Sequence, residues 1–422
     1  MEVTEITGIA SGGAGVGRLP DGRVTFVHRA AVGDRVEVRL VEERSSWTRS
    51  ELVRVLDPGP GRRTAPCPHY DRCGGCTLEH LEYEAQLEAK AGVATDALQR
   101  IGKLDVTVPE VVPSPTEFRY RNRVTFTLRR GRDGVVAGFH ELEAPDRLVD
   151  VTAACLLPEA SMAEAWGALR TAWGPDAGRL PSGDELRLTL RSTRDGAVAL
   201  VVDGGYAPGR PEELLAEIDG LVAVWHRPER AKKYRRLAGE ASFKDVWAGD
   251  DLELSGDVFT QVNRGAAALL EAYVLERALA SSPARVLDAY AGVGLHTRRL
   301  EREGVDVVAI EAHPKAVAEA RRSAPGSHVI KGTVEARLAD ALPVDVAILN
   351  PPRAGTHESV VEELAERGPE RVLYVSCDPA TLARDLKRLG PRYEVRRIRC
   401  FDLFPQTAHV ETVVELERCA TT

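Results

Sequence analysis

The chain has 422 residues, 43% of them hydrophobic and 28% charged, with a formal net charge of −8. That length predicts two or three domains of an ordinary soluble protein. No apolar run is long enough to span a bilayer, the opening Met1-Glu2-Val3-Thr4-Glu5 has no basic stretch leading into an apolar core, and the negative total means that nucleic-acid binding has to come from local basic patches. Together with seven Cys, this predicts a cytoplasmic protein whose cysteines serve metal binding or catalysis rather than disulfides.

Residues 1 to 56 read as all-β, with strands over Glu2–Ile9, Arg23–Val27, Arg35–Val41 and Glu51–Leu56. Turns fall at Gly12-Gly13, Pro20-Asp21-Gly22 and Val32-Gly33-Asp34. Short strands joined by Gly-rich turns predict a small closed barrel of the oligonucleotide-binding sort. Asp57-Pro58-Gly59-Pro60-Gly61 is a linker. After it come Cys67, Cys73 and Cys76, with a Gly pair before the last. Three Cys so close predict a loop round a metal centre, with Cys155 as the nearest candidate for a fourth ligand. Four thiolates suit a 4Fe–4S cluster or a structural zinc. His69 reads as an ordinary loop residue.

Leu81 to Ile101 has helical spacing. From Phe118 to Arg130, arginines alternate with aromatic and apolar residues, which predicts a strand with one basic face suited to phosphate contact. A second basic cluster holds Arg227, Lys232, Lys233, Arg235 and Arg236. Between them, Leu186–Leu190 and Ala197–Val202 read as antiparallel strands, with Gly204-Gly205 closing the unit. The domain division expected from these shifts is 1–58, 59–250 and 251–422, a central α+β domain lying between barrel and C-terminal part.

From about Asp251, strands alternate with helices: Arg285–Tyr290, Val305–Glu311, Val344–Asn350 and Arg371–Ser376, then Tyr393–Phe401 and His409–Glu417 as a closing hairpin. This predicts a doubly wound α/β sheet, with ligands beyond the carboxyl ends of the strands. The first strand runs into Tyr290-Ala291-Gly292-Val293-Gly294, where glycines let a ligand approach the backbone. The second ends in Glu311, placed to accept the ribose hydroxyls of a nucleoside cofactor. A dinucleotide fingerprint would want a third Gly where His296-Thr297 stands, so S-adenosylmethionine is the alternative. Asn350-Pro351-Pro352-Arg353 forms a rigid turn over the strand ends. Cys377 follows the next strand, and Asp378-Pro379 suits an N-cap and first helical position. A thiol there faces the positive end of a helix dipole, which predicts a lowered pKa and a nucleophile. Cys377 and Glu411 are expected on neighbouring strand ends. Cys400 and Cys419 read as packing or surface thiols.

With these residues assembled, the chain resembles the RNA uracil-C5 methyltransferase family, makers of 5-methyluridine in tRNA and ribosomal RNA. Several motifs carry the resemblance: Phe259-Thr260-Gln261-Val262-Asn263, Ser376-Cys377-Asp378-Pro379 and His409-Val410-Glu411. It implies a TRAM barrel, a class I methyltransferase fold, and a 4Fe–4S site at Cys67, Cys73, Cys76 and Cys155. It further implies S-adenosylmethionine held by Gln261, Tyr290, Gly292, Gly294, Glu311 and Asn350, with Cys377 as nucleophile and Glu411 as general base. Leu295 and Asp378 stand where the family often has Asn, and Asn350 where it often has Asp. The implied partner is RNA, either large ribosomal RNA (rRNA) or tRNA, with rRNA favoured, and the protein is expected to act as a monomer. An adenine amino-methyltransferase would carry an aromatic in place of Arg353 and need no thiol. A cytosine-C5 enzyme would lack the Gln261 and Glu411 pattern. A non-catalytic RNA-binding protein would not need Cys377 and Glu411.

Overall fold

The computed structural model describes residues 1–132, 134–247, 250–254 and 260–420. Its compact units do not follow the linear order of the chain. The first gathers Met1–Arg62, Leu81–Pro115 and Ala266–Thr422, and the second gathers Arg63–His80 and Thr116–Gly265.

The first unit begins with the barrel. Strands β1 (Glu2–Ile9), β2 (Gly15–Arg18), β3 (Val24–Val27), β4 (Arg35–Glu43) and β5 (Trp47–Asp57) close in the order β1-β2-β3-β5-β4. Val36 and Val38 of β4 point inward and are fully buried, while Arg35 and Arg39 on either side face water, as the alternation predicts. Strand β2 is Gly15-Val16-Gly17-Arg18, and two glycines in four residues mask the strand signal. The glycines have a steric reason: a Cβ at Gly15 would sit 2.7 Å from the Ala30 carbonyl oxygen, and one at Gly17 would sit 2.6 Å from Thr4 Oγ1.

Helix α1 (Tyr83–Arg100) covers most of the predicted Leu81–Ile101 stretch. One of its stripes is polar and buried. Lys90 is wholly enclosed, and its Nζ donates to the Asp402 carboxylate and to the Phe404 carbonyl at 3.1 Å. Gln86 donates to Gln406 Oε1 at 2.9 Å and accepts from Gln406 N–H at 2.9 Å. Tyr83 donates its hydroxyl to Asp402 at 3.0 Å.

The second unit is built on β6 (Arg123–Gly131), β7 (Gly134–His140), β8 (Leu148–Asp150), β9 (Glu185–Ser192), β10 (Val198–Asp203), β11 (Leu221–Arg227) and β12 (Arg235–Gly239). Their order is β12-β11-β10-β9-β6-β7-β8, with helices α2 (Ala160–Ala172) and α3 (Pro211–Glu217) and a separate hairpin β13 (Phe243–Trp247) and β14 (Asp250–Leu254). Strands β9 and β10 are antiparallel as expected. Gly204-Gly205 does not close this unit, because α3 carries the chain back to lay β11 parallel to β10. The core packs Phe126 on Trp166, with ring centroids 4.2 Å apart.

The rest of the first unit is the doubly wound sheet. It has strands β15 (Arg285–Ala289), β16 (Asp306–Glu311), β17 (His328–Lys331), β18 (Val346–Leu349), β19 (Arg371–Ser376), β20 (Tyr393–Phe401) and β21 (Glu411–Arg418). Helices α4 (Arg264–Leu279), α5 (Leu295–Arg302), α6 (Pro314–Ser323), α7 (Val334–Ala341), α8 (Glu358–Arg367) and α9 (Pro379–Leu389) accompany it. The order is β17-β16-β15-β18-β19-β21-β20. The first five strands are parallel, and β21 runs antiparallel between β19 and β20. Strand β17 is additional to the expected set: its four residues, His328-Val329-Ile330-Lys331, give too short an apolar signal to separate from the helices around it. Among the described residues, no helix is long and apolar enough to cross a membrane.

The Lys90–Asp402 pair yields a test. Removing one partner of a buried ion pair leaves the other charge without compensation, so Lys90→Ala should lower the unfolding free energy by about 3–5 kcal/mol. The shift of the urea midpoint measures it.

Candidate active site

The reactive side chains of the first unit meet where β19 and β21 end side by side. Ser376 pairs with Thr412 in that ladder, so the next residues outward, Cys377 and Glu411, are neighbours. Beyond Cys377, Asp378 caps α9 by accepting the Thr381 N–H at 2.8 Å, with Pro379 in the first turn. The Asp378 carboxylate is therefore turned to the helix and not to the thiol.

Burial dominates the electrostatics here. It pushes the Cys377 thiol above its ordinary value, and the Glu411 carboxylate beside it pushes the same way; the Arg353 guanidinium, hydrogen-bonded to the sulfur, opposes both. The lowered pKa expected from the helix dipole is thus corrected, because half-burial next to an acid outweighs the dipole. Burial also raises Glu411, to about 7, against the pull of Arg353. The sequence placed Arg353 in the rigid turn over the strand ends but gave it no role in the chemistry. In the structure it is the cation facing both reactive groups. Its loop is fastened from below by Asp385 of α9, fully buried, which accepts from Thr356 N–H at 2.9 Å and from the Tyr374 hydroxyl at 2.7 Å. Arg384 adds a bond to the Ala354 carbonyl at 2.8 Å. Asp385 escaped the sequence reading, although an acid inside the apolar stripe Leu382, Leu386, Leu389 is a signal that could have found it.

A cavity of about 590 Å³ opens beyond the sheet's carboxyl edge, lined by Tyr290, Glu311, Thr333, Gly355 and Arg388 among others. Glu311 is held at its wall by the N–H of Gly292 at 2.8 Å and of His313 at 2.6 Å. A Cβ at Gly292 would meet nothing within 4 Å, so the backbone there is open to a ligand. Gly294 serves packing instead. With φ at +79°, it lets α5 pass Ala320, whose Cβ would lie 2.9 Å from any added Cβ. Asn350 follows β18 directly and donates its N–H to the Ala289 carbonyl at 3.4 Å. Gln261 belongs to the second unit, where its carbonyl accepts from Asn122 Nδ2 at 2.9 Å. Phe259 of the same motif lies outside the described residues.

In the second unit, Cys67, Cys73, Cys76 and Cys155 all line one apolar gap of about 10 Å³. Among the described residues, no three His, Cys, Asp or Glu side chains are already set to hold a metal ion. Burial pushes Cys76 well above its ordinary value and Cys155 to about 12, and the neighbouring thiols push in the same direction. His69 turns to Thr152 Oγ1 at 3.1 Å. The Arg119–Arg130 run is not the free basic face that the sequence predicted. Arg119 donates to the Cys155 carbonyl at 2.7 Å, Arg129 pairs with Glu185 at 2.8 Å, and Arg130 bonds the carbonyls of Asp176 and Ala177 at 2.7 and 2.9 Å.

Residues 333–419 match the family model of tRNA (uracil-5-)-methyltransferase, and residues 2–53 match the TRAM domain. An uncharacterized RNA methyltransferase of Gloeobacter violaceus is 35% identical over 98% of this chain and 95% of its own length. One from Synechocystis is 34% identical over 99% and 95%. The crystal structure of Pyrococcus abyssi tRNA (uracil-54, C5)-methyltransferase with S-adenosyl-L-homocysteine is similar with a TM-score of 0.73 and 27% identity, over 98% of this chain and all of that one.

The raised Glu411 makes stability depend on pH. Its carboxyl holds a proton up to about 7 when folded, but only to its ordinary 4.5 when unfolded. Between those values the folded state binds more protons, so stability falls as pH rises, by roughly 3 kcal/mol in all. Glu411→Gln should abolish that slope and leave the variant more stable than the parent at pH 8, as urea titrations across the range will read.

Proposed function

Since the chain belongs to the S-adenosylmethionine-dependent RNA (uracil-C5-)-methyltransferases, we propose that Cys377 is the nucleophile and Glu411 the general base of that reaction. The observation that carries this reading is the adjacency of thiol and carboxyl at the β19–β21 ladder end, with Arg353 facing both.

C5 of uracil is a poor nucleophile. The Cys377 thiolate adds at C6, forming a C–S bond and moving the C5=C6 electron pair into an enolate, which makes C5 nucleophilic. S-adenosylmethionine, when bound, would supply the electrophilic methyl group that C5 takes, the methyl–sulfur bond breaking to leave the thioether. Glu411 then removes the proton from C5, the C5=C6 bond re-forms, and the C–S bond breaks to release the Cys377 thiolate. Arg353 stabilises the anionic forms of both side chains. A raised Glu411 suits the base's role: ionised, with Arg353 offsetting its charge beside the thiolate, it is a stronger base for the C5 proton than an ordinary carboxylate. A target uridine has to leave its stack to reach the ladder end.

For the cofactor we assign Glu311 to the ribose hydroxyls, Tyr290 to the cavity wall, Gly292 and Gly294 to the shape of the loop, and Asn350 to the strand end. Gln261 is assigned on its motif alone. The open space at Gly292 and the fixed Glu311 carboxylate fit a nucleoside. Cys67, Cys73, Cys76 and Cys155 are assigned to a metal centre, a 4Fe–4S cluster or else a zinc ion. Four sulfurs sharing an apolar gap fit such a group, because they can ionise together only round a cation. The centre would brace the loop, and no catalytic step is drawn through it. Residues 1–58 and 59–250 would grip RNA while 251–422 perform the chemistry, in a cytoplasmic monomer whose seven cysteines form no disulfides. Barrel and thiol loop together favour rRNA as the substrate; the similarity to the Pyrococcus abyssi tRNA enzyme favours a second reading, tRNA.

One experiment tests chemistry and target together. With 5-fluorouridine-substituted rRNA or tRNA the protein should stall as a covalent adduct, because fluorine cannot leave as a proton does. Adduct on one RNA only identifies the target, and adduct formed by Cys377→Ala would overturn the assignment.

The metal centre has its own test. Protein purified without oxygen should be brown and contain iron and sulfide. Colourless protein with stoichiometric zinc would replace the cluster with the alternative ion.

A further inference from the structure

The second unit carries two basic runs, and they have different fates. In the first, Arg119, Arg129 and Arg130 are engaged with carbonyls and a carboxylate of their own unit, and Arg121 donates to the Tyr120 hydroxyl. The run Arg227 to Arg236 holds six basic residues against the single acid Glu229 in a chain that is acidic overall. Of these, Arg227 is already paired with Asp203 at 2.7 Å, while Arg230, Lys232, Lys233, Arg235 and Arg236 are exposed on and beside the turn between β11 and β12.

Next to that turn stands Tyr206, 67% exposed and the one aromatic among the described residues that is classed with the exposed hydrophobics. Its placement is built. Tyr206 N–H donates to the Ser182 carbonyl at 2.9 Å, and Ala207 N–H donates to Ser182 Oγ at 3.1 Å. Gly205, at φ +69°, admits this close approach, since a Cβ there would lie 2.1 Å from the Ser182 oxygen. Its carbonyl accepts the Glu229 N–H at 3.0 Å, which fastens the Tyr206 loop to the foot of the basic turn. The backbone is thus fixed and the Tyr206 hydroxyl is hydrogen-bonded to the Glu229 carboxylate, while the face of the ring remains exposed. An immobilised ring beside exposed cations has the composition of a platform for single-stranded nucleic acid, where a base stacks on the ring and phosphates lie against the charges.

We propose that Tyr206, with Arg230, Lys232, Lys233 and Arg235, binds a single-stranded stretch of the RNA substrate, one base stacking on the Tyr206 ring. The proposal rests on the reading that the substrate is RNA. It assigns this subsite to grip and not to chemistry, so its loss acts on KM and leaves kcat in place.

The test uses the full chain and a labelled single-stranded RNA oligonucleotide followed by fluorescence anisotropy. Tyr206→Ala should weaken binding roughly ten-fold, and Tyr206→Phe, which keeps the stacking face, should bind as the parent does. The double variant Lys232→Glu, Lys233→Glu should weaken binding further and reduce the salt dependence, by about one unit of log–log slope per lost contact. Methylation kcat at saturating RNA should be unchanged in all three. Parental affinity in Tyr206→Ala, or loss in Tyr206→Phe equal to that in Tyr206→Ala, overturns the stacking site. The parent's own methyl transfer to RNA is measured alongside: its absence with a stacking-dependent affinity would sink the proposed reaction alone, and its presence with an unchanged Tyr206→Ala would sink the subsite alone.

Discussion

An ammonium group enclosed with no water around it must find its counter-charge in the protein, and Lys90 finds it in Asp402. This obligation organises much of the first unit. Asp402 and Phe404 follow directly on β20 and lead toward β21, which opens with Glu411. Lys90, Gln86 and Tyr83 hold that connection at three points, so the position from which β21 starts is fixed by a helix far earlier in the chain. The adjacency of Glu411 to Cys377 follows from β-sheet register. That register is secure because a slip by one residue would turn the buried Val413 and Val414 and their neighbours to the wrong faces.

The reactive pair is arranged under a second constraint, that a crowded site cannot keep several like charges. A thiol and a carboxyl side by side, both largely out of water, favour holding protons. Arg353 offsets this from a loop that Asp385 pins to the same helix that follows Cys377. Charge at the ladder end is therefore set by a rigid arrangement of backbone, with the mobile part confined to a proton.

Much of this could be read from the residues alone, for identifiable reasons. Strand β4 showed its alternation of apolar and charged residues, and β19 its apolar, β-branched run. Cys377 and Glu411 were visible because each lies in a short motif at a strand end. What stayed hidden depends on contacts distant in sequence. Lys90 looks like any surface lysine on a helix until Asp402 is brought to it, 312 residues away. β2 is invisible because its glycines answer to the crowding of Ala30 and Thr4, not to strand propensity. The arginines of β6 looked available for phosphate, since the carbonyls of residues 176, 177 and 183 that engage Arg130 come from elsewhere in the fold. The thiol's acidity was misjudged because a sequence shows the helix that follows Cys377 but not how far the thiol and its neighbouring acid are buried.

The insertion of β21 between β19 and β20 also bears on how the chain reaches its fold. Every strand of the parallel part can pair with one already made, but the edge of β19 stays open until the last strand of the sheet arrives and fills it. Until then the polar stripe of α1 has no partners, and the first unit cannot complete its core. Closing contacts across more than three hundred residues is entropically slow. A chain that has not yet added β21 therefore holds an exposed strand edge, the kind of species that associates with others like itself. The same topology makes assembly of the reactive pair one of the final events of folding, so molecules that stop short carry the nucleophile without its base.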